Sequence, residues 1–231
     1  MSIYPKAFIY DLDGVITDTA EFHFLAWQKI AQKLDISIDR QFNEQLKGIG
    51  RMDSLELILK LDPSLSELSN EEKENLANRK NELYLELVET IDSSNVLPGI
   101  EELLAANKEQ GLKIALGSAS KNALYVLDQL GLTHYFDYIV DASQVSKGKP
   151  DPETFTAAAD ALGIEYPACI GIEDSAAGVA AINAANMFSV GVGDAAQLSD
   201  ADYLVEATSQ LDFEEIVERY RHQTALKETD Q

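Results

Sequence analysis

The sequence is poor in cysteine and basic residues and has no long apolar run, and each shortage excludes a class of protein. Cys169 is the only cysteine among 231 residues, so no disulfide can form within the chain. A single thiol agrees with a reducing compartment, and we expect Cys169 to be a small buried core residue. A small fold held together by disulfides is therefore excluded.

Basic residues are outnumbered by acidic ones. Lys and Arg total 18 and Asp and Glu total 40, which gives a net charge of −22. Such a field repels the phosphates of nucleic acids and the surfaces of anionic membranes, so we expect neither as a partner. A small anionic ligand would need a local cluster of basic side chains, which the Debye length of about 10 Å allows.

Long apolar runs are missing as well. No stretch of about 18 consecutive apolar residues, the length of a membrane-spanning helix, occurs in the chain. The N-terminal sequence MSIYPKAFIYDLDG lacks an apolar segment of signal-peptide length before its first acids. We therefore expect the protein in the cytoplasm.

The remaining composition is that of a globular protein. Hydrophobic residues make up 45% of the chain and charged residues 25%, which excludes wholesale disorder. The length is sufficient for one to two domains with a sizeable buried core.

Short apolar runs alternate with helical patterns over most of the chain. The run KAFIY (6–10) stops abruptly at Asp11, and similar runs occur at 113–117, 138–140, 169–172 and 188–192. Helical patterns lie between them, at 99–110, 123–130, 153–162 and 176–186. This alternation predicts an α/β fold with a doubly wound parallel sheet, a Rossmann-like core.

One segment interrupts the alternation. Residues 19–90 contain no β-like run, only amphipathic stretches at 24–34, 54–61 and 71–88. We predict an inserted α-helical cap domain at 18–92, and a core domain formed by 1–17 and 93–231, joined by polar linkers that can act as a hinge. The last ten residues, 222–231, lack an apolar period and are expected to be frayed.

The first chemical motif is DLDGVITDT, which follows the first predicted strand. In doubly wound sheets ligands bind beyond the carboxyl ends of the strands, where Asp11 and Asp13 fall. Two carboxylates at this spacing can bind a hard cation, or one can attack phosphorus while the other moves protons. A solvated acidic turn closed by Gly14 is the plain alternative.

Three further motifs follow later predicted strands. LGSASKN offers Ser118 and backbone N–H groups that can face an anion, although Ser is also an ordinary helix N-cap. GKPDPETF places Lys149 before a helix, where it can supply a fixed positive charge or simply be solvated. IGIEDSAAG ends a buried strand with Glu173 and Asp174, which can share a Mg²⁺ ion with the first acids.

With all four motifs present in order, the sequence resembles the haloacid dehalogenase superfamily, and the helical insert resembles its cap. The resemblance implies that Asp11 is the nucleophile that becomes an aspartyl phosphate and that Asp13 is the general acid and base. It implies Mg²⁺ as the cofactor, held by Asp11, the backbone carbonyl of Asp13 and Asp174, with Glu173 beside them. Ser118 and Lys149 would hold the oxygens of the transferring phosphoryl group.

The resemblance extends into the cap, where DRQFNEQLKGIGRMDSL matches the sugar-phosphate mutases of the superfamily. Arg51 then corresponds to a clamp on the non-reacting phosphate, and Thr19 and His23 to residues that couple cap closure to Asp13. The other residues expected to line the cleft are Lys47, Gly48, Ser54, Lys80 and Asn81 on the cap, and Ala119, Ser120, Lys121 and Asn122 on the core.

The function that this resemblance implies is the interconversion of β-D-glucose 1-phosphate and D-glucose 6-phosphate by a monomeric isomerase, through phosphorylated Asp11 and a bisphosphate. Three alternatives stay open: a Mg²⁺-dependent sugar-phosphate phosphatase, a dehalogenase and a non-catalytic sugar-phosphate sensor. The dehalogenase is disfavoured because such enzymes of this superfamily do not use the acid-base group that Asp13 provides. The sensor is disfavoured because every catalytic position is filled.

Overall fold

A six-stranded parallel sheet forms the centre of the protein. The computed structural model describes residues 4–229 and the side chains of residues 4–226. The strands are β1 (Ala7–Tyr10), β2 (Lys113–Leu116), β3 (Tyr138–Ile139), β4 (Cys169–Glu173), β5 (Phe188–Val192) and β6 (Tyr203–Val205). Their order in the sheet is β3-β2-β1-β4-β5-β6, and all neighbouring pairs are parallel. The predicted fold class is confirmed.

The register places the end of β1 at the point where the strand order reverses. Tyr10, the last residue of β1, is paired with Leu116 on one side and with Ile172 on the other. The residues that follow these three strands therefore lie together at the carboxyl edge of the sheet. In a doubly wound sheet this switch point is the usual ligand site.

Helices cover both faces of the sheet. The core helices are α5 (Ile100–Glu109), α6 (Ala123–Gln129), α7 (Glu153–Leu162), α8 (Ala176–Ala184) and α9 (Phe213–Thr229). Side chains of β1 alternate between the faces, as a strand requires. Phe8 and Tyr10 belong to the hydrophobic cluster that includes Phe213 of α9, and Ile9 belongs to a second cluster with Phe155 of α7.

The inserted segment is helical, as the absence of β-like runs predicted. Its helices are α1 (Ala20–Lys33), α2 (Arg40–Asn43), α3 (Arg51–Leu59) and α4 (Asn70–Val88). A capping box at Ser69 and Glu72 fixes the start of α4. Trp27, Ile30 and Tyr84 lie buried between α1 and α4.

The two linkers of this helical segment lie side by side. The N–H of Leu97 donates to the carbonyl of Ile16 at 2.9 Å, and the hydroxyl of Thr17 donates to the carbonyl of Asn95 at 2.8 Å. The two crossings are therefore joined by hydrogen bonds, and the hinge stays a prediction. The division into domains at 17/18 and 92/93 stays a prediction.

Two elements differ from the sequence-based expectation. The predicted strands are confirmed within one residue at each end, but β6 was not predicted at all. The prediction that residues 222–231 are frayed is wrong for residues 222–229, because α9 continues to Thr229. Its first turns bury Ile216, Val217 and Tyr220 against the core, and this packing anchors the helix. Residues 230–231 lie outside the described part of the chain.

Over residues 4–229, none of the helices combines the length and the apolar character that a membrane crossing would require.

Candidate active site

Asp11 is fixed at the switch point of the sheet. Its backbone N–H donates to the carbonyl of Ile172 at 3.0 Å, and only 3% of the residue is exposed. The chain then turns sharply at Gly14, which has a φ of +79°. A side chain at Gly14 would overlap the carboxylate of Asp174, so the turn brings the two acidic strand ends together.

Three of the predicted metal ligands form one cluster. Carboxylate oxygens of Asp11, Glu173 and Asp174 all lie within 4.8 Å of one another. Glu173 is fully buried, and its Oε2 accepts hydrogen bonds of 2.8 Å from both the N–H and the hydroxyl of Ser175. The oxygen atoms of three acids therefore converge at one point, which is the donor set that Mg²⁺ prefers.

Lys149 forms ion pairs with two of these acids. Its Nζ donates to Oδ1 of Asp11 at 2.7 Å and to Oε1 of Glu173 at 2.6 Å. Burial alone would lower the pKa of Lys149, but the facing carboxylates of Asp11 and Glu173 raise it above the usual value. The ammonium group is therefore a permanent positive charge within the site.

The carboxylates themselves are held in an unfavourable environment. Burial is the main cause that raises the pKa of Asp11 to about 7, and Glu173 and Asp13 add to it against the opposing effect of Lys149. Burial, Glu173 and Asp11 also raise the pKa of Asp174 well above its usual value. A divalent cation among these oxygens would favour the ionised carboxylates, so the residues present fit a bound Mg²⁺.

Ser118 joins this group from the end of β2. The N–H of Gly117 donates to the carbonyl of Tyr10 at 2.8 Å, which places Ser118 beside Asp11. Ser118 is 2% exposed, and its hydroxyl oxygen accepts a hydrogen bond of 3.1 Å from the N–H of Ser120. Asp11 and Ser118 thus lie in the wall of the same cavity at the edge of the sheet, and Lys149 contacts Asp11.

A cavity of about 500 Å³ separates these core residues from the inserted helices. Its wall contains most of the predicted site residues: Asp11, Asp13, His23, Lys47, Gly48, Arg51, Ser54, Lys80, Asn81, Ser118, Ala119, Ser120, Lys121, Asn122 and Asp174. Three predicted residues, Thr19, Lys149 and Glu173, lie behind this wall and are buried. Basic side chains line both sides of the cavity, Lys47, Arg51 and Lys80 on the inserted segment and Lys121 on the core, so a local basic cluster is present beside the acids.

Asn81 connects the two walls of the cavity. Its Oδ1 accepts a hydrogen bond of 2.8 Å from Nη2 of Arg51 and one of 2.7 Å from Nδ2 of Asn122. Arg51 and Asn81 belong to the inserted helices, whereas Asn122 belongs to the core. Gly48 adds a second contact, because a Cβ at this position would overlap the hydroxyl of Ser175. The inserted helices are therefore closed over the sheet edge.

Lys80 is buried, and among residues 4–226 its ammonium group contacts a histidine and not a carboxylate. Its Nζ lies 2.6 Å from Nδ1 of His23. It also lies over the rings of Trp27 and Tyr84, 5.1 and 4.8 Å from their centroids. Burial and the nearby charge of Arg51 lower the pKa of Lys80 to about 7, against the attraction of Asp13.

Asp13 has a carboxylate oxygen that is free to bind a ligand. Its Oδ2 lies 3.6 Å from Nε2 of His23, and its buried Oδ1 has no hydrogen-bond partner among the described residues. Thr19, which was predicted to act with His23, is fully buried, and its Oγ1 accepts a hydrogen bond of 3.4 Å from the hydroxyl of Tyr84. Asp13 is therefore available for a hydrogen bond to a ligand in the cavity.

Several residues of the cavity were not predicted. The loop after β3 contributes Ala142, Ser143, Val145, Ser146 and Gly148, and α4 contributes Glu74 and Asn78. The loop follows a predicted strand at the carboxyl edge of the sheet, so its position was a usable signal. Glu74 and Asn78 share the helical face of Asn81, at spacings of seven and three residues, which was also a usable signal.

Comparison with known proteins agrees with this fold. A model of the haloacid dehalogenase-like hydrolases matches residues 5–186, and the chain belongs to this family. Among curated relatives it is 46% identical to the β-phosphoglucomutase of Bacillus subtilis, over 93% of this chain and 95% of that protein.

A solved structure and a further relative complete the comparison. The chain matches a crystal structure of β-phosphoglucomutase from Clostridium difficile with a TM-score of 0.94 and 50% identity, over 96% of this chain and 99% of the other. It is also 30% identical to the fructose-1-phosphate phosphatase YqaB of Escherichia coli, over 80% of this chain and 94% of that protein. The predicted resemblance to the superfamily is confirmed.

Proposed function

We propose that this chain is a Mg²⁺-dependent β-phosphoglucomutase, an isomerase that interconverts β-D-glucose 1-phosphate and D-glucose 6-phosphate. The observation that carries the proposal is the similarity to two β-phosphoglucomutases, at 46% and 50% identity, over nearly the whole chain. The similarity includes the inserted helices, which form one wall of the cavity. The proposed substrate class is therefore that of sugar phosphates.

In this proposal Asp11 is the nucleophile. A carboxylate oxygen of Asp11 attacks phosphorus, the bond from phosphorus to the sugar oxygen breaks, and an aspartyl phosphate forms. Lys149 and Ser118 neutralise and orient the oxygens of the transferring phosphoryl group. The contacts of Lys149 with Asp11 and Glu173 support this role, because they fix its charge at the reacting carboxylate.

Asp13 moves the proton. It protonates the sugar oxygen as the phosphoryl group moves to Asp11, and it accepts the proton of a sugar hydroxyl when the group moves back. The supporting observation is its availability, since Oδ1 has no partner within the described structure and faces no competing charge at hydrogen-bond distance. Its spacing of two residues from Asp11 keeps it beside the reacting atoms.

Mg²⁺ would be held by Asp11, Asp174 and the backbone carbonyl of Asp13, with Glu173 beside them. The convergence of oxygen atoms from Asp11, Glu173 and Asp174 supports this ligand set. When bound, the ion neutralises negative charge that accumulates between the carboxylates and the phosphoryl group.

The inserted helices act as the cap that binds the second phosphate. The guanidinium group of Arg51 matches a phosphate with two parallel hydrogen bonds. Lys47, Gly48, Ser54, Lys80 and Asn81 form the cap side of the sugar site, and Ala119, Ser120, Lys121 and Asn122 form the core side. Thr19 and His23 link cap closure to Asp13. Reorientation of the bisphosphate in this cavity then exchanges the two phosphates.

The closed cap favours a mutase over a phosphatase. Water must be kept from the aspartyl phosphate long enough for a sugar hydroxyl to react. The hydrogen bond between Asn81 and Asn122 and the close approach of Gly48 to Ser175 support such exclusion. The phosphatase relatives, such as that of Escherichia coli at 30% identity, are also less similar to the chain.

Phosphorus NMR tests the proposal directly. The protein is incubated with β-glucose 1-phosphate, Mg²⁺ and a trace of the bisphosphate. Glucose 6-phosphate is the expected product, free phosphate would favour a phosphatase, and unchanged substrate would favour a sensor.

We further propose that the protein works as a cytoplasmic monomer without a nucleic-acid partner, on the basis of its charge and its single cysteine.

A further inference from the structure

Lys149 reaches the reacting carboxylate from a loop. The loop follows β3 and ends at Glu153, the first residue of α7. The side chain of Lys149 is fully buried, and its Nζ contacts Asp11 at 2.7 Å. Because neither a strand nor a helix contains Lys149, the position of its ammonium group depends on how the loop backbone is held.

The carboxylate of Glu153 holds this loop with both of its oxygens. Oε1 accepts a hydrogen bond of 2.7 Å from the N–H of Ser146, and Oε2 accepts one of 2.8 Å from the N–H of Lys147. Both donors lie within three residues of Lys149. Hydrogen bonds to an ionised carboxylate are about twice as strong as those between neutral groups, so this is a firm attachment of loop to helix.

The helix that contains Glu153 is itself part of the core. Phe155, two residues further along α7, is fully buried, and its ring lies 5.0 Å from Nζ of Lys149. The hydrogen bonds from the N–H groups of Ser146 and Lys147 lower the pKa of Glu153 against the opposing effect of burial, so its carboxylate is ionised at neutral pH. One helix thus holds the loop through Glu153 and supports the ammonium group through Phe155.

The ion pairs of Lys149 change during the proposed reaction. When Asp11 gains a phosphoryl group, one carboxylate oxygen becomes part of an acyl phosphate, a mixed anhydride, and the negative charge then lies on the phosphoryl oxygens. The ammonium group must then follow the phosphoryl oxygens rather than relax toward Glu173. A displacement of about 1 Å in such a group can reduce the rate about 100-fold.

We propose that Glu153 is a positioning residue for Lys149, which fixes the backbone of residues 146–147 and so sets where the ammonium group meets the transferring phosphoryl group. This inference rests on the proposed function, in which Lys149 contacts that group. Glu153 does not contact substrate. Its effect is on the phosphoryl-transfer step and not on binding of the second phosphate, which the cap holds through Arg51.

Glu153→Gln tests the proposal, because an amide keeps one acceptor and presents an N–H₂ group to the other backbone donor. We expect kcat to fall about tenfold or more while KM changes less than about twofold. The matched control is Glu72→Gln. Glu72 is also a glutamate near the start of a helix, and it accepts a hydrogen bond of 2.8 Å from the N–H of Ser69, but it lies outside the cavity wall. The control is expected to keep kcat and KM, with a similar change in melting temperature.

A double variant shows whether Glu153 acts through Lys149. Lys149→Ala removes the group that Glu153 positions, so adding Glu153→Gln to it is expected to cause no further loss of kcat. If the Lys149→Ala variant does not fold, Lys149→Met is used in its place. Additive losses, an unchanged kcat in Glu153→Gln, or an equal loss in Glu72→Gln would each overturn the proposal.

A second assay separates this inference from the proposed function. The rate at which acetyl phosphate phosphorylates Asp11 is followed by the mass of the intact protein, and it needs no sugar. Failure of the wild-type chain to form glucose 6-phosphate contradicts the mutase. Retention of the wild-type phosphorylation rate by Glu153→Gln contradicts the role of Glu153, whatever the sugar substrate is.

Discussion

Nζ of Lys80 lies 2.6 Å from Nδ1 of His23, so a buried lysine is paired with a histidine and not with a carboxylate. The lysine is 2% exposed and lies close to the rings of Trp27 and Tyr84. A buried cation in this environment destabilises the fold. Lys80 lines the cavity, where the proposed anionic substrate would bring a negative charge close to its ammonium group.

This arrangement makes stability depend on pH. The pKa of Lys80 is about 7 in the folded protein and 10.5 in the unfolded chain, so between these values the unfolded state binds more protons. The free energy of unfolding therefore rises with pH through this window, with a slope of up to about 1.4 kcal/mol per pH unit from this group. Below pH 7 the full cost of the buried charge is present.

Lys80→Met is expected to be more stable than the wild type at pH 7 and to lack this slope, while its activity falls. Urea titrations at several pH values measure both effects. Lys73→Met on the same helix is the control, because Lys73 forms a 2.8 Å ion pair with Glu56 and is expected to leave the slope unchanged. Equal slopes in wild type and Lys80→Met would contradict the assignment.

Asp11→Asn is expected to abolish turnover while the fold stays intact. An amide cannot attack phosphorus, and Lys149 keeps its 2.6 Å contact with Glu173. Activity should fall below about 10⁻³ of the wild type, measured in a coupled glucose 6-phosphate assay. Asp128→Asn, an exposed acid of α6 outside the cavity wall, serves as the control and should remain active. Substantial turnover by Asp11→Asn would show that Asp11 is not the nucleophile.

Removal of divalent cations is expected to stop the reaction, and added Mg²⁺ to restore it. The ion should also raise the melting temperature, because it relieves the repulsion among Asp11, Glu173 and Asp174. At about 100 times its Kd, the stabilisation would be about 2.7 kcal/mol. Asp174→Asn should lose this effect, whereas Asp194→Asn, an acid of the neighbouring groove outside the cluster, should keep it. Full activity in chelator would contradict the metal site.

Gly48→Ala is expected to hinder closure of the cap. Gly48 has a φ of +72°, and its Cβ would overlap the hydroxyl of Ser175 across the interface. Gly111 has nearly the same φ, +71°, but a Cβ there would have no neighbour within 4 Å. Gly111→Ala should cost about 1 kcal/mol of stability and leave catalysis unchanged. Gly48→Ala should cost a similar amount and also raise KM, so equal kinetics in the two variants would argue against closure at this point.

The sequence predicted the elements that have a strong local signal. The run KAFIY ending at Asp11 marked β1, and the acids after it marked the site, because strand ends in a parallel sheet meet at one edge. β6 was not predicted because it has only three residues, Tyr203–Val205, and follows an acidic loop. Strands this short have too few residues for a periodic signal.

The details of the site are long-range and were not predictable from local patterns. Lys149 meets Asp11 across 138 positions and Glu173 across 24, and the shared acceptor Asn81 joins Arg51 to Asn122. These partners are set by the packing of helices on the sheet. Glu153 could be read from the sequence only as an acid in the first turn of a helix. Its role depends on which backbone groups the folded loop presents to it.

Asp13→Asn separates proton transfer from ligand binding. The carboxylate of Asp13 has an unpartnered oxygen and lies 3.6 Å from Nε2 of His23, so its side chain is not needed to hold the described structure together. The proposed metal contact is its backbone carbonyl, which the substitution keeps. Turnover should therefore fall by about 10² to 10⁴, as expected for the loss of general acid-base catalysis.

Binding is expected to survive the same substitution. Calorimetric titration with the bisphosphate in the presence of Mg²⁺ measures affinity, and the coupled assay measures turnover in the same preparation. Arg51→Ala is the matched comparison, because loss of the phosphate clamp should weaken affinity together with the rate. If the affinity of Asp13→Asn for the bisphosphate collapses in parallel with its turnover, Asp13 holds the site together, and its assignment as the proton-transfer group is wrong.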